Sequence, residues 1–345
     1  MQELAKRLSE AFGVSGFEDE IRAVIRAEIA GLVDEIRVDT LGNLIAVRCG
    51  TSGGKPPVDI KPTAGKRVML AAHMDQIGLM VTHVDEKGYL RFAPVGYLYP
   101  LACWGAQVRF ADGTVGSIGL DGRKSPTKDL PELRDMYVDV GATGRDQVRQ
   151  KVGDVAGFWP GFTSQGSAWF SPNLDDRAGC IVLAQLLREL QGVDIAHDIY
   201  AVFTTQEEVG TRGARTSAYA IEPDLAIALD VTLTGDAPYA TPAMEVYMGR
   251  GVAIKVKDAG MISHPGLNRL LIAAAEADGI PYQLEVLQGG TTDAYAMQVA
   301  RAGVPATCLS IPSRHVHTPS QIVDQRDAEG AVRLLKGFLG SPIAL

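Results

Sequence analysis

The sequence predicts an α/β fold: a mostly parallel sheet with helices on both faces, interrupted by an inserted small all-β, barrel-like domain. Three observations predict it. Apolar runs of strand length alternate with stretches that are apolar at helical spacing over residues 1–75 and 166–345. Between them, residues 76–165 carry short alternating segments punctuated by glycine, such as GYLRFAPVG and VRFADGTVGSIG, without a clear helical period. Finally, acids and histidines stand where several apolar runs end, and open α/β sheets bind ligands beyond the carboxyl ends of their strands.

Bulk properties agree with a two-part globular chain. The 345 residues exceed a typical single domain, and 46% apolar with 21% charged residues leaves enough material for a large core. A net charge of −8 argues against nucleic acid as a partner, because phosphate binding needs a basic face. Cys49, Cys103, Cys180 and Cys308 are scattered with no C-x-x-C pair, so neither a disulfide scaffold nor a thiolate zinc site is expected. The start, MQELAKR, lacks the apolar core of a signal peptide, and no apolar run reaches membrane-spanning length. The expectation is a cytoplasmic protein with no membrane contact.

The elements follow in order. Ser15 and Glu18 have capping-box spacing ahead of Ile21, Val24, Ile25 and Ile29, which recur at helical period. Residues 34–40 and 44–47 alternate like paired strands about the turn Leu41-Gly42-Asn43. Residues 49–66, rich in Gly, Pro, Lys and Thr, read as a surface loop. Residues 67–72 read as a buried strand, 176–190 as a helix, 199–205 and 225–229 as strands, 267–277 as a helix, 306–311 as a strand and 327–339 as a final helix.

Chemistry collects at the strand ends. VMLAA runs into His73-Met74-Asp75, AVFTT into Glu207-Glu208, LAIAL into Asp230, and ATCLSIP toward His315-Val316-His317. Asn173-Leu174-Asp175-Asp176 precedes a predicted helix. Imidazole with carboxylate and no cysteine suits zinc, cobalt or manganese in a catalytic site. Each residue alone has a plainer use: a single histidine is usually structural, Asp175 or Asp176 would cap a helix, and a Glu-Glu pair is usually solvated. Their joint placement lifts the set above those uses. His83, His197 and His264 lack that placement and read as structural or surface residues.

At these residues the chain resembles the TET-type and glutamyl aminopeptidase family of dinuclear metallopeptidases. The likeness runs from LSEAFGVSGFEDEIRAVI to SRHVHTPSQ and rests on AAHMDQIGLMV, SPNLDDRAGC, TTQEEVGTRGA, ALDVT and SRHVHTP. The resemblance implies two divalent ions per subunit, zinc first, with cobalt or manganese also suited. His73 and Asp230 would hold one ion, Glu208 and His317 the other, and Asp175 would bridge them. Glu207 would be the general base and Asp75 would orient His73. The ions would activate water and polarise the scissile carbonyl. Gly290, Thr292 and Asp293 would border the substrate pocket. Two departures stand out: Gln76 where relatives carry Glu, and His315 where Tyr is common. The resemblance also implies peptide substrates and a homo-oligomer built from dimers, up to a tetrahedral dodecamer, with residues 76–165 serving assembly and access.

The expected function is therefore a metal-dependent aminopeptidase. Competing readings are another two-metal amide hydrolase (deacylase or carboxypeptidase), a glucanase, or an inactive scaffold. A glycosidase needs two flanking carboxyls and has no use for the histidines, and a scaffold should have lost ligands.

Overall fold

A computed structural model describes residues 1–50, 65–122, 130–159, 161–238 and 244–345. Most of the expected loop at 49–66 lies outside the described residues.

The chain opens with helices α1 (Gln2–Glu10) and α2 (Asp19–Ile29). The predicted period is real, since α2 buries Ile21, Ile25 and Ile29. The predicted capping box does not form. Glu18 is the N-cap but makes no side-chain cap bond. Its carboxylate instead accepts from the Gly16 and Gln206 amides, and the Ser15 hydroxyl donates to Asp75 at 2.6 Å. A buried carboxylate outcompetes a helix end for a short donor.

Strands β1 (Glu35–Val38) and β2 (Leu44–Arg48) form the expected antiparallel pair, followed by β3 (Arg67–His73). Then comes the barrel: β4 (Gly78–Val84), β5 (Leu90–Val95), the one-turn helix α3 (Pro100–Cys103), β6 (Gln107–Phe110), β7 (Val115–Leu120), β8 (Met136–Asp139) and β9 (Val155–Trp159). These six strands close in the order β4-β5-β8-β7-β6-β9. Their alternate residues, among them Leu79, Val81, Leu90, Val108, Ile118 and Val138, fill a separate core. Gly78 and Gly157 are register partners at the seam. A Cβ on Gly157 would lie 2.3 Å from the Gln76 amide nitrogen, so glycine lets barrel and sheet approach.

The remainder rebuilds the α/β domain: β10 (Thr163–Gln165), β11 (Ala168–Ser171), α4 (Leu174–Glu189), β12 (Asp198–Thr204), α5 (Arg212–Ile221), β13 (Leu225–Leu233), β14 (Val252–Lys257), α6 (Pro265–Ala277), β15 (Tyr282–Val286), α7 (Asp293–Gln298), β16 (Ala306–Arg314), β17 (Gln321–Asp324) and α8 (Gln325–Leu339). One eleven-stranded sheet runs β1-β2-β12-β3-β13-β16-β17-β11-β10, with β14 and β15 branching from β16. Its centre, β12-β3-β13-β16, is parallel. Thr163–Gln165 pairs in this sheet with β11, not in the barrel.

Both faces of the central strands are buried, and the alternation shows it. Val68, Leu70 and Ala72 of β3 join Leu225, Ile227 and Leu229 of β13 in a core with α1, α2, α4 and α8. Met69 and Ala71 with Ala226 and Ala228 face α5 and α7. This is why the runs are apolar without a polar alternation.

Candidate metal centre

Four parallel strands deliver the site at their carboxyl ends, in the middle of the sheet. His73 is the last residue of β3. Pairing of β3 with β13 ends at Ala72–Leu229, while β13 continues beside β16 to Leu233. Asp230 therefore sits inside a strand whose β3-facing edge has just been released. The sequence reading had that run end at Asp230; pairing with β16 carries it further. Glu207 and Glu208 occupy the turn after β12, whose Gly210 and Thr211 amides donate to the Glu207 carbonyl. Asp175 and Asp176 start α4 and are joined by a cis peptide bond. His317 follows β16.

Distances are short. His73 Nε2 lies 3.1 Å from Asp175 Oδ1, 3.8 Å from Asp230 Oδ1 and 4.0 Å from Glu207 Oε2. His317 Nε2 lies 3.2 Å from Asp175 Oδ2 and 3.3 Å from Glu208 Oε2. Asp175 thus turns one oxygen to each histidine. Two groups of donors fall within 4.8 Å of one another: His73, Asp175 and Glu208, and His73, Asp176 and Asp230. His315 is exposed and outside the cluster, whereas His317 lies within it. Both histidines have positive φ, as do Gln206 and Thr211, four of the six such non-glycine residues among those described. Left-handed backbone at side-chain-bearing residues concentrates where geometry is imposed by a site.

Asp75 is fully buried beneath this layer. It accepts from the Glu207 amide at 2.9 Å, the Glu208 amide at 3.2 Å and Ser15, and lies 3.5 Å from His73 Nδ1. Burial opposes its charge, yet His73 and these donors hold it below the usual carboxylate range. With Nδ1 turned to Asp75, His73 presents Nε2 to the cluster.

The donor set fits divalent cations. Burial first, and then repulsion among the acids, pushes Glu207, Glu208, Asp230 and Asp176 above the carboxylate range. Burial works against charge on His317 too, but Asp175 and Glu208 pull it up to about 11. Asp176 Oδ2 and Glu208 Oε1 are buried with no hydrogen-bond partner. Buried carboxylates without matching positive charge are costly, and cations among them remove that cost. Cys180 is no competitor, since its thiol donates to the His73 carbonyl.

A cavity of about 570 Å³ opens over the cluster. Gly290 and Thr292 line it as expected, together with Tyr97 and Tyr99 from the barrel side. Asp293 does not. It is buried at the start of α7, its carboxylate accepts from Thr204, and burial lifts it to about 6. A larger groove of about 690 Å³, by Lys66 and His197 at the opposite ends of β3 and β12, gathers no such donor cluster. His264 caps α6 through Leu267, and His83 is exposed on the barrel, matching their expected plain roles.

Sequence reasoning named Asp176 beside Asp175 but gave it no ligand role, and it missed Tyr97, Tyr99 and Lys255 as lining. Asp176 also accepts from the Gly179 amide at 2.8 Å, so its capping role masked the second one. Tyr97 and Tyr99 lie between β5 and α3 of the barrel segment, which no strand-end pattern reaches.

The profile of the M42 glutamyl aminopeptidase family matches residues 58–334. A putative aminopeptidase of Acetivibrio thermocellus is 45% identical over 97% of this chain and 97% of its own length. An aminopeptidase from the archaeon Desulfurococcus kamchatkensis superposes with a TM-score of 0.90 at 37% identity, covering 98% of this chain and 94% of that one. A TET peptidase of Pyrococcus horikoshii, which can assemble into a tetrahedron or a large octahedral shell, superposes with a TM-score of 0.85 at 30% identity over 98% of both chains. Sheet, closed barrel, buried acid–histidine cluster and full-length likeness all agree, and the chain belongs to the M42 glutamyl aminopeptidase family.

Proposed function

We propose that this protein is a metal-dependent aminopeptidase that hydrolyses the N-terminal peptide bond of peptides. The observation that carries the reading is Asp175, buried between His73 and His317 with one oxygen toward each. His73 and Asp230 would hold one divalent ion, Glu208 and His317 a second, and Asp175 both; zinc suits this set first, and cobalt or manganese also suit it. When bound, the two ions supply an activated water and a polarised scissile carbonyl.

The chain's own residues do the rest. Glu207 faces the cavity, and burial raises its proton affinity above that of an ordinary carboxylate. It takes a proton from the attacking water and gives it to the departing amine. Asp75 fixes the His73 ring. The substrate's free α-amine would be received by one bound ion together with the nearby acids, which would confine cleavage to the first bond.

The division of labour assigns residues 1–75 and 166–345 to catalysis, and the inserted 76–165 segment to assembly and access. Barrel residues Tyr97 and Tyr99 at the cavity support the access role. A homo-oligomer, from a dimer to a tetrahedral dodecamer, is supported by the shell-forming relative. A cytoplasmic location is part of the same reading, and no helix among the described residues is long and apolar enough to cross a membrane.

The test is hydrolysis of aminoacyl-p-nitroanilides beside their N-acetylated counterparts. Cleavage of free-amine substrates alone is expected. Equal cleavage of the acetylated forms would replace this reading with a deacylase or endopeptidase.

A further inference from the structure

Beyond the acids and histidines of the centre, the described walls of the cavity carry one charged side chain, Lys255 of β14. Every other lining residue is neutral. Val231, Leu233 and Leu287 supply an apolar wall, and Gly289, Gly290 and Thr291 a small-residue one. Leu233 is 45% exposed at this rim.

The one cation is already engaged. Lys255 and Glu285 are register partners across the parallel β14–β15 pair, which points both side chains to the same face. Lys255 Nζ lies 2.7 Å from Glu285 Oε1, in ion-pair range though off the hydrogen-bond direction, and 3.6 Å from Asp258 Oδ2. All three side chains are fully buried. Thr232 donates to Glu285 at 2.8 Å, and Asp258 is tied by the Gly260 and Met261 amides. Lys255 is thus held by two carboxylates, with no positive charge to spare for a ligand. Nor does the wall offer a free carboxylate to a basic ligand.

We propose that this cavity selects peptides whose N-terminal side chain is neutral and aliphatic, and that the Lys255–Glu285–Asp258 cluster enforces this by cancelling the one wall charge that could bind an acidic residue. The inference rests on the aminopeptidase reading and departs from the glutamyl preference in the family's name. A glutamate side chain would be stripped of water against leucine and valine with no available cation, and a lysine side chain would find no available anion except the acids of the centre. Unpaired charge in such a wall is penalised far more than a missing methylene.

The experiment compares kcat/KM for leucyl-, glutamyl- and lysyl-p-nitroanilide with the wild-type protein. Leucine should exceed both charged residues by about a hundredfold or more. Thermal protection by free leucine, glutamate and lysine at equal concentration should follow the same order without turnover. Glu285→Gln combined with Asp258→Asn, which removes both carboxylates that hold Lys255, should then release its charge and raise the glutamyl-to-leucyl ratio at least about tenfold. Should that variant misfold, Leu287→Arg, which adds a cation to the wall without opening the buried cluster, should raise the same ratio. A wild-type preference for glutamyl or lysyl substrates overturns the proposal, as does a glutamyl ratio unmoved in whichever of the two variants folds. Cleavage of none of the three would instead strike the aminopeptidase reading itself.

Discussion

The proposed function gives Asp175 and Glu207 opposite duties despite similar burial. Asp175 lies against two imidazoles, which overcome burial and hold it below the carboxylate range. Glu207 has burial and acidic neighbours, and its proton affinity rises. A low-affinity acid suits a bridging ligand and a high-affinity one suits proton transfer. Glu207→Gln should retain bound metal yet lose turnover by about 10²–10⁴-fold; metal analysis beside steady-state kinetics checks this, and normal turnover in a loaded variant would remove Glu207 as base. Asp175→Asn should lower occupancy of both ions, and two ions retained per chain would refute the bridge. His73, Glu207, Glu208 and Asp230 stood out because acids and histidines follow apolar runs in the sequence, whereas the choice of His317 over His315 rested on the family resemblance. The interior place of Asp293 and the central place of Asp176 were not legible. An Asp next to a glycine-rich turn looks accessible, and only packing reveals that Asp293 is interior and Asp176 central.

At the scale of elements, stagger makes the site. β3 stops pairing with β13 at Ala72, β13 and β16 run on together, and α4 brings Asp175 to the site. The buried side of α4 holds it there, and Leu183→Ala in that fully buried layer should cost about 2–5 kcal/mol, read by denaturant unfolding. A second tie is Arg314 at the end of β16, whose guanidinium donates to both oxygens of Asp236 at 3.0 and 2.7 Å. Bonding to Arg314 lowers the Asp236 pKa from 3.8 to about 2. A depressed folded pKa adds stability that is present above the unfolded value and lost as pH falls through the folded one. The melting-temperature gap between wild type and Asp236→Asn should therefore be full above about pH 4 and close toward about pH 2; a constant gap would show that Asp236 stays charged or never mattered. The long apolar strands and helices were readable from period alone. β14 and β15 were not, because Lys255 and Glu285 suggest a solvated face when they in fact satisfy each other inside. The six-residue α7 is too short to show a period.

The whole molecule joins a closed barrel to an open sheet, with the cavity where they meet. The fold class was visible in the sequence as a change of texture, from alternating strands and helices to glycine-punctuated strands. The limits of the barrel were less visible, since β10 pairs with the large sheet although its composition resembles the insertion. At this scale the acid cluster is also a stability problem: ions would neutralise it, so exhaustive chelation should lower the melting temperature and added zinc should restore it. Unchanged melting after verified metal removal would mean that the buried carboxylates need no cation. The most direct measurement is a titration of the chelated protein with zinc, cobalt or manganese, reading turnover of leucyl-p-nitroanilide against metal bound per chain. The account predicts no turnover without metal and full turnover as a second ion binds. Full turnover in the verified metal-free protein would contradict it.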